Sequence, residues 1–304
     1  MGLCSSLCGG SSAEDGRTAT HVKQYEPHGG PTTAPPPQKA PQSNRAKQQH
    51  REMHWKSTGI VGIRDQGITH LPASVASVGT DAKVLDATNN RLHELPPAVA
   101  HLPNLQRIVL CHNSIYTLSG PLLRSLPALK MLLLDHNSLV ELPEEVSWLT
   151  RLEKLSLNHN KLTGLPSGLA ACSRLTCILV GHNRLKGLPA GDHLPPSLEE
   201  FNAAHNQISH IPASWGTLHK LKVLNLDDNR VADVPAEVLH DCSALHTLCL
   251  HGCPIGPAQL QANPGFHAFE ERRKGKYDKA IAGGVLMGAK QLDEGVDREK
   301  MHSR

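Results

Sequence analysis

The chain has 304 residues, a formal net charge of +3, and only 3% aromatic residues. So small and dispersed a charge leaves no footprint for nucleic acid, and so few rings exclude a globular core built around large aromatics. No apolar run reaches the roughly 18 residues of a membrane-spanning helix, and no apolar segment of the secretory type follows Met1.

Taken in order, residues 1–10 read MGLCSSLCGG. Met1-Gly2-x-x-x-Ser6 fits the pattern that exposes Gly2 for N-myristoylation. Cys4 and Cys8 stand beside it, where S-acylation would add a second chain. Residues 9–43 are rich in Gly, Ser, Thr, Pro and Gln and lack the apolar side chains that offset ordering entropy. Residues 1–43 therefore read as a disordered, lipidated tether with a reach on the order of 30 Å. Residues 44–57, NRAKQQHREMHWKS, predict a short polar helix that caps the start of a repeat array.

Residues 58–257 carry that repeat. Its clearest copy is Leu129-x-x-Leu132-x-Leu134-x-x-Asn137-x-Leu139-x-x-Leu142-Pro143. Leu132 and Leu134 alternate with the period of a strand that buries one face. The Asn position recurs as Asn90, Asn113, Asn160, Asn183, Asn206 and Asn229, with Gln66 at the start and Cys253 at the end, at spacings of 23 or 24 residues. After each Leu-Pro, apolar residues return three and six places on, as in Val146 and Leu149, Leu169 and Cys172, Trp215 and Leu218. This predicts single turns, since Gly and Pro are too frequent for long helices. One unit cannot enclose its own apolar face, so the copies must stack. Residues 258–282 read as the closing cap. Its helix is expected over 263–282, with Asn263 as N-cap, Pro264 in the first turn, and Phe266, Phe269, Tyr277 and Ile281 on one face. Residues 283–304 read as a flexible tail.

The nine registered copies resemble the leucine-rich repeat. The resemblance implies an α/β solenoid, a horseshoe with short parallel strands on its concave face, turns or short helices on its convex face, and helical caps. Extracellular members usually close their ends with paired cysteines. None flank this array, so Cys111, Cys172, Cys177, Cys242, Cys249 and Cys253 are expected as free thiols in a reducing compartment. The MG start, the segment KSTGIVGIRDQGITHLP and the terminal FEERRKGKYDKA resemble the small intracellular type represented by leucine-rich repeat-containing protein 57. The plant intracellular Ras-group-related proteins share the repeat type and match the ends less well. Either resemblance implies a monomeric interaction protein without catalytic residues or cofactors, with regulation of a Ras-type GTPase or a protein phosphatase among its expected roles. The protein is expected in the cytoplasm, peripheral on the cytosolic face of a membrane.

Candidate site residues come from the strands. Val84, Val109, Met131, Leu133, Cys177 and Leu179 alternate away from the core and are expected as exposed apolar surface, a mark of a partner site. In the C-terminal half the same columns turn polar, at Glu200, Asn202, Asn225, Asp227 and Asp228. Five consecutive repeats carry histidine before the Asn: His112, His136, His159, His182 and His205. Such a ladder could form a metal stripe or a pH-sensitive surface, but turn packing is the simpler reading. Cys249 and His251, near Asp227 of the preceding rung, are candidate zinc ligands. The inward Cys253 and the convex Cys242 point elsewhere, which weakens that site. No phosphate-binding loop, HExxH, GxSxG or kinase signature is present, so no enzyme is expected.

Overall fold

A computed structural model describes residues 42–282 and Gly295. Helix α1 (Gln42–Thr58) leads into nine three-residue strands. These are β1 (Ile60–Gly62), β2 (Val84–Asp86), β3 (Arg107–Val109), β4 (Met131–Leu133), β5 (Lys154–Ser156), β6 (Cys177–Leu179), β7 (Glu200–Asn202), β8 (Val223–Asn225) and β9 (Thr247–Cys249). They form one parallel sheet in sequence order. The register sets like positions side by side, for example Met131 beside Arg107 and Lys154.

The return path of most repeats is a single turn. Pro97–His101, Glu144–Trp148, Ser167–Ala171 and Ala213–Thr217 are 3₁₀ segments, each following a proline in extended conformation. Three short α-helices replace such turns late in a repeat or after the last: α2 (Gly120–Arg124), α3 (Ala236–Asp241) and α4 (Pro257–Gln261). The apolar pairs expected there are buried, with Val146, Leu149, Leu169, Cys172, Trp215 and Leu218 all at most 2% exposed. Each fully buried leucine contributes roughly 2 kcal/mol, and the repeat multiplies that along one continuous core. Phe201 and Trp215 meet edge to face at 5.0 Å, and the Trp215 indole N–H donates to the Pro189 carbonyl at 2.8 Å.

Both ends of the array are covered. Trp55 of α1 is 2% exposed within the core, and the Gly59 N–H donates to its carbonyl. At the other end α5 (Phe266–Ala282) buries Phe269, 1% exposed, with Phe266 against it. The closing helix thus begins three residues later than the expected start at Asn263. The Asn263 side-chain oxygen still accepts the N–H two residues on, that of Gly265, at 2.9 Å as an N-cap does, while its amide donates to the Val234 carbonyl. The Tyr277 and Ile281 side chains lie outside the described residues.

Gly295, within the segment read as a flexible tail, is buried at the sheet edge. Each core residue that follows a strand donates its N–H to the third residue of the next strand, as Leu226 does to Cys249. Leu250 makes the equivalent bond to the Gly295 carbonyl at 2.6 Å. Gly295 has φ 81°, and a Cβ there would collide with the Leu248 carbonyl oxygen.

Candidate functional site: the strand face and its histidine edge

Two features of each repeat fix the strand face. The first is the asparagine. Asn137 donates from Nδ2 to the carbonyls of Leu134 and, one rung earlier, Leu110, both at 2.9 Å, while its Oδ1 accepts the Ile115 N–H at 3.0 Å. Asn160, Asn183, Asn206 and Asn229 repeat this pattern. The amide satisfies backbone groups that the turning chain would otherwise bury unpaired. Cys253 keeps one of these bonds, from its thiol to the Leu226 carbonyl at 3.2 Å.

The second is the residue before the asparagine, which adopts a left-handed backbone. In chain order the position holds Asp65, Asn89, His112, His136, His159, His182, His205, Asp228 and Gly252, with φ between 53° and 71°. Glycine aside, these are the residue types that best tolerate this region. The rung spacing then stacks the five imidazoles, with centroids 4.0–4.2 Å apart and planes within 18°. Burial, helped by neighbouring histidines, pushes the His136, His159 and His182 pKa values down. His205 Nδ1 lies 3.3 Å from an Asp228 carboxylate oxygen.

The expected apolar patch is narrower than its sequence suggests. Val109, Cys177 and Leu179, expected as exposed, are buried at 6%, 8% and 8% exposure. Side chains on adjacent rungs stand about 5 Å apart and shield each other's flanks. Leu179 lies between Ser156 and Asn202, and the Cys177 thiol donates to the Glu200 carboxylate at 3.5 Å. Val84, Met131 and Leu133 remain half-buried, while Ile60 at the start of the same face is half exposed. Arg107, beside Met131, has a shielded Nε without a hydrogen-bond partner, the one such side-chain atom among the described residues.

The polar residues named from the sequence are partly occupied by the fold. Asn202 and Asn225 each accept, through Oδ1, the backbone N–H two residues on. Asp227 accepts the His251 N–H at 2.8 Å and meets its ring nitrogen at 3.0 Å. Asp135, unremarked in the sequence, is also engaged on this face. It accepts the Ser156 hydroxyl at 2.6 Å and the Asn158 N–H at 2.8 Å. Its signal lay in the column one step past the inward leucine, where Asp135, Asn158 and Asp227 recur.

The candidate zinc ligands do not assemble. Asp227 is committed to His251, and among the described residues no three His, Cys, Asp or Glu side chains stand together at metal-holding distances. The stacked imidazoles are parallel, so their nitrogens lie side by side instead of converging on one point. The six cysteines of the array are free thiols. Burial raises the Cys172 and Cys242 pKa values to about 11, which keeps both protonated and inert. Gly2, Cys4 and Cys8 lie outside the described residues. Among those described, no helix is long and apolar enough to cross a membrane.

An open parallel sheet laddered by asparagine, with single turns behind it and a helix at each end, defines a leucine-rich repeat protein. Leucine rich repeat family profiles match residues 82–139, 196–255 and 151–172. Plant intracellular Ras-group-related LRR protein 7 of Oryza sativa subsp. japonica is 60% identical over 247 residues, covering 81% of this chain and 94% of that protein. The chain belongs to this family of plant intracellular Ras-group-related leucine-rich repeat proteins, the group that its ends had placed behind leucine-rich repeat-containing protein 57.

Solved structures agree on the fold. A leucine-rich repeat protein of Leptospira interrogans superimposes with a TM-score of 0.59 at 27% identity, over 66% of this chain and 52% of that one. The plant peptide hormone receptor RGFR1, solved in complex with RGF2, gives 0.56 at 27% identity, over 65% of this chain and 32% of the receptor's. This chain therefore spans about half and about a third of those two structures.

Proposed function

We propose that this protein is a non-catalytic adaptor that binds a protein partner on its strand face and is held at a cytosolic membrane surface by lipids on Gly2 and on Cys4 or Cys8. One observation carries the binding half. Met131 and Leu133, at the centre of the array, keep part of their apolar surface open on the strand face, side by side on one strand. Arg107 and Lys154 flank Met131 in its column, and Glu200 follows two rungs on from Lys154. A partner with a greasy contact bordered by acidic groups would complement the N-terminal half. The complex in which the peptide hormone receptor was solved supports this use of the fold. The relative's name, Ras-group-related, supports a narrower reading in which the partner is a Ras-type GTPase complex. Affinity capture with wild type and with Met131→Glu plus Leu133→Glu tests the proposal. Loss of one defined partner is the expected result, and unchanged capture would place the site elsewhere.

A further inference from the structure

Helix α5 carries four cations within residues 272–276, and they divide into two sets. Arg273 and Lys274 pair with Glu270, at 2.6 and 3.7 Å. Arg272 and Lys276, one helical turn apart, face the last rung instead. The Arg272 guanidinium donates to the carbonyls of Leu245 and Leu239, and the Lys276 ammonium to the Thr247 hydroxyl at 2.8 Å. Every one of these acceptors is neutral. Glu271 acts on Arg272 only through space, and among the described residues no carboxylate forms an ion pair with Arg272 or Lys276.

The two cations border a cavity of about 460 Å³ lined by Ser243, Ala244, His246, Arg272, Gly275 and Lys276. His246 Nδ1 lies 3.0 Å from the Thr247 hydroxyl. Lysine has no lone pair to offer, so the Thr247 oxygen accepts from Lys276 while it also shares a hydrogen bond with His246 Nδ1. Burial, and then the charge of Lys276, push the His246 pKa down to about 4, so the ring is neutral near pH 7. Gly275 sits between the cations in the interior of a helix, where glycine costs about 1 kcal/mol relative to alanine. A Cβ there would meet nothing within 4 Å; the missing side chain leaves the cavity open.

We propose that this cavity binds a phosphate monoester, with Arg272 and Lys276 as its charged contacts and the His246 ring beside them. Two adjacent cations suit a dianionic group with three strong acceptor oxygens. The site lies on the C-terminal cap and is independent of the partner patch around Met131. The same chemistry could come from a soluble phosphate ester or from a phosphorylated lipid headgroup.

The test uses the full chain, made without acylation, and two variants. Lys276→Gln removes one charge while leaving Arg272 to hold the cap. Gly275→Leu places an apolar side chain between the two cations without changing any charge. Inorganic phosphate is titrated against potassium chloride at matched ionic strength, reading the His246 ring by NMR together with the melting temperature. The wild type should respond saturably, and both variants should bind more weakly, Lys276→Gln by at least about tenfold, the loss expected for one charge-assisted hydrogen bond. Phosphate also stabilises folded proteins as an excluded salt, an effect the variants would keep. A response equal in all three proteins, or no shift of the His246 ring, overturns the proposal. Vesicles of phosphatidylcholine with or without phosphatidylinositol 4-phosphate identify the source. Retention on the phosphorylated vesicles alone, lost in both variants, points to a headgroup; a saturable phosphate response without retention points to a soluble ester.

Discussion

The His136 and His159 rings stack with centroids 4.1 Å apart and planes inclined by 10°, each carried on a left-handed backbone with φ of 56° and 54°. The contact is set by the repeat: a position that must tolerate positive φ recurs at the rung spacing, and histidine fills it five times.

This arrangement makes stability depend on pH. His136, His159 and His182 have folded-state pKa values below the ordinary value of 6.5, because burial and neighbouring rings disfavour the charged forms. The unfolded chain therefore binds more protons than the folded one just below that value, and stability rises with pH there. The contribution is fully present above about pH 6.5 and is lost as pH falls through the lower folded values. Replacing all three with Asn, which also tolerates positive φ, should keep the fold and flatten the slope between pH 7.5 and 5. Denaturant titrations at those two pH values check it; an unchanged slope would show that the ladder is not its source.

Asn160 offers a test of the asparagine ladder. Asn160→Ala removes amide bonds to the carbonyls of Leu134 and Leu157 and leaves the Leu139 N–H without its acceptor. The buried groups left unpaired should cost about 2–4 kcal/mol, read as a lowered denaturation midpoint. A loss below about 0.5 kcal/mol, typical of surface changes, would mean that water replaces the amide.

Alternation along β4 makes opposite predictions for neighbours. Leu132 is 1% exposed, whereas Met131 and Leu133 beside it are half-buried on the other face. Leu132→Glu should cost more than about 4 kcal/mol through lost packing and a buried charge. The Met131→Glu, Leu133→Glu double variant should stay folded, with a loss of about 1–2 kcal/mol. Circular dichroism melts separate the two, and similar melts for both would contradict the assignment of faces.

Attachment to membranes rests on the N-terminal residues. One myristoyl chain binds only marginally and reversibly, so stable anchoring needs a second acyl chain. Gly2→Ala should leave the protein in the soluble fraction of cells. Cys4→Ser with Cys8→Ser should give weak, exchanging association. Persistence of the Gly2→Ala variant in the membrane fraction would locate the anchor elsewhere.

Gly295→Val should displace residue 295 from its contact with β9, because the new Cβ would strike the Leu248 carbonyl and φ of 81° disfavours a branched residue. The array should remain folded with about 1 kcal/mol lost. The clearest sign would be faster hydrogen exchange at the Leu250 amide, which donates to the Gly295 carbonyl. Unchanged exchange there would rule out this contact in solution.

The sequence by itself determined the repeat, its register and the buried set. Alternation of Leu132 and Leu134, the recurring Asn137 position and the Leu-Pro steps are local and periodic, and each copy has to satisfy the same backbone groups. It also pointed to turn packing for the histidines, since residue type already reflects the demands of a left-handed turn. What it could not decide was how far neighbouring rungs cover one another. Val109, Cys177 and Leu179 point away from the core by parity yet are buried, because exposure depends on side chains one repeat, or 23 to 24 residues, away. The same limit hid the cavity at the C-terminal cap. Arg272, Lys276 and His246 look like ordinary surface residues until α5 folds back over β9, and only that packing separates the two cations paired with Glu270 from the two facing neutral acceptors.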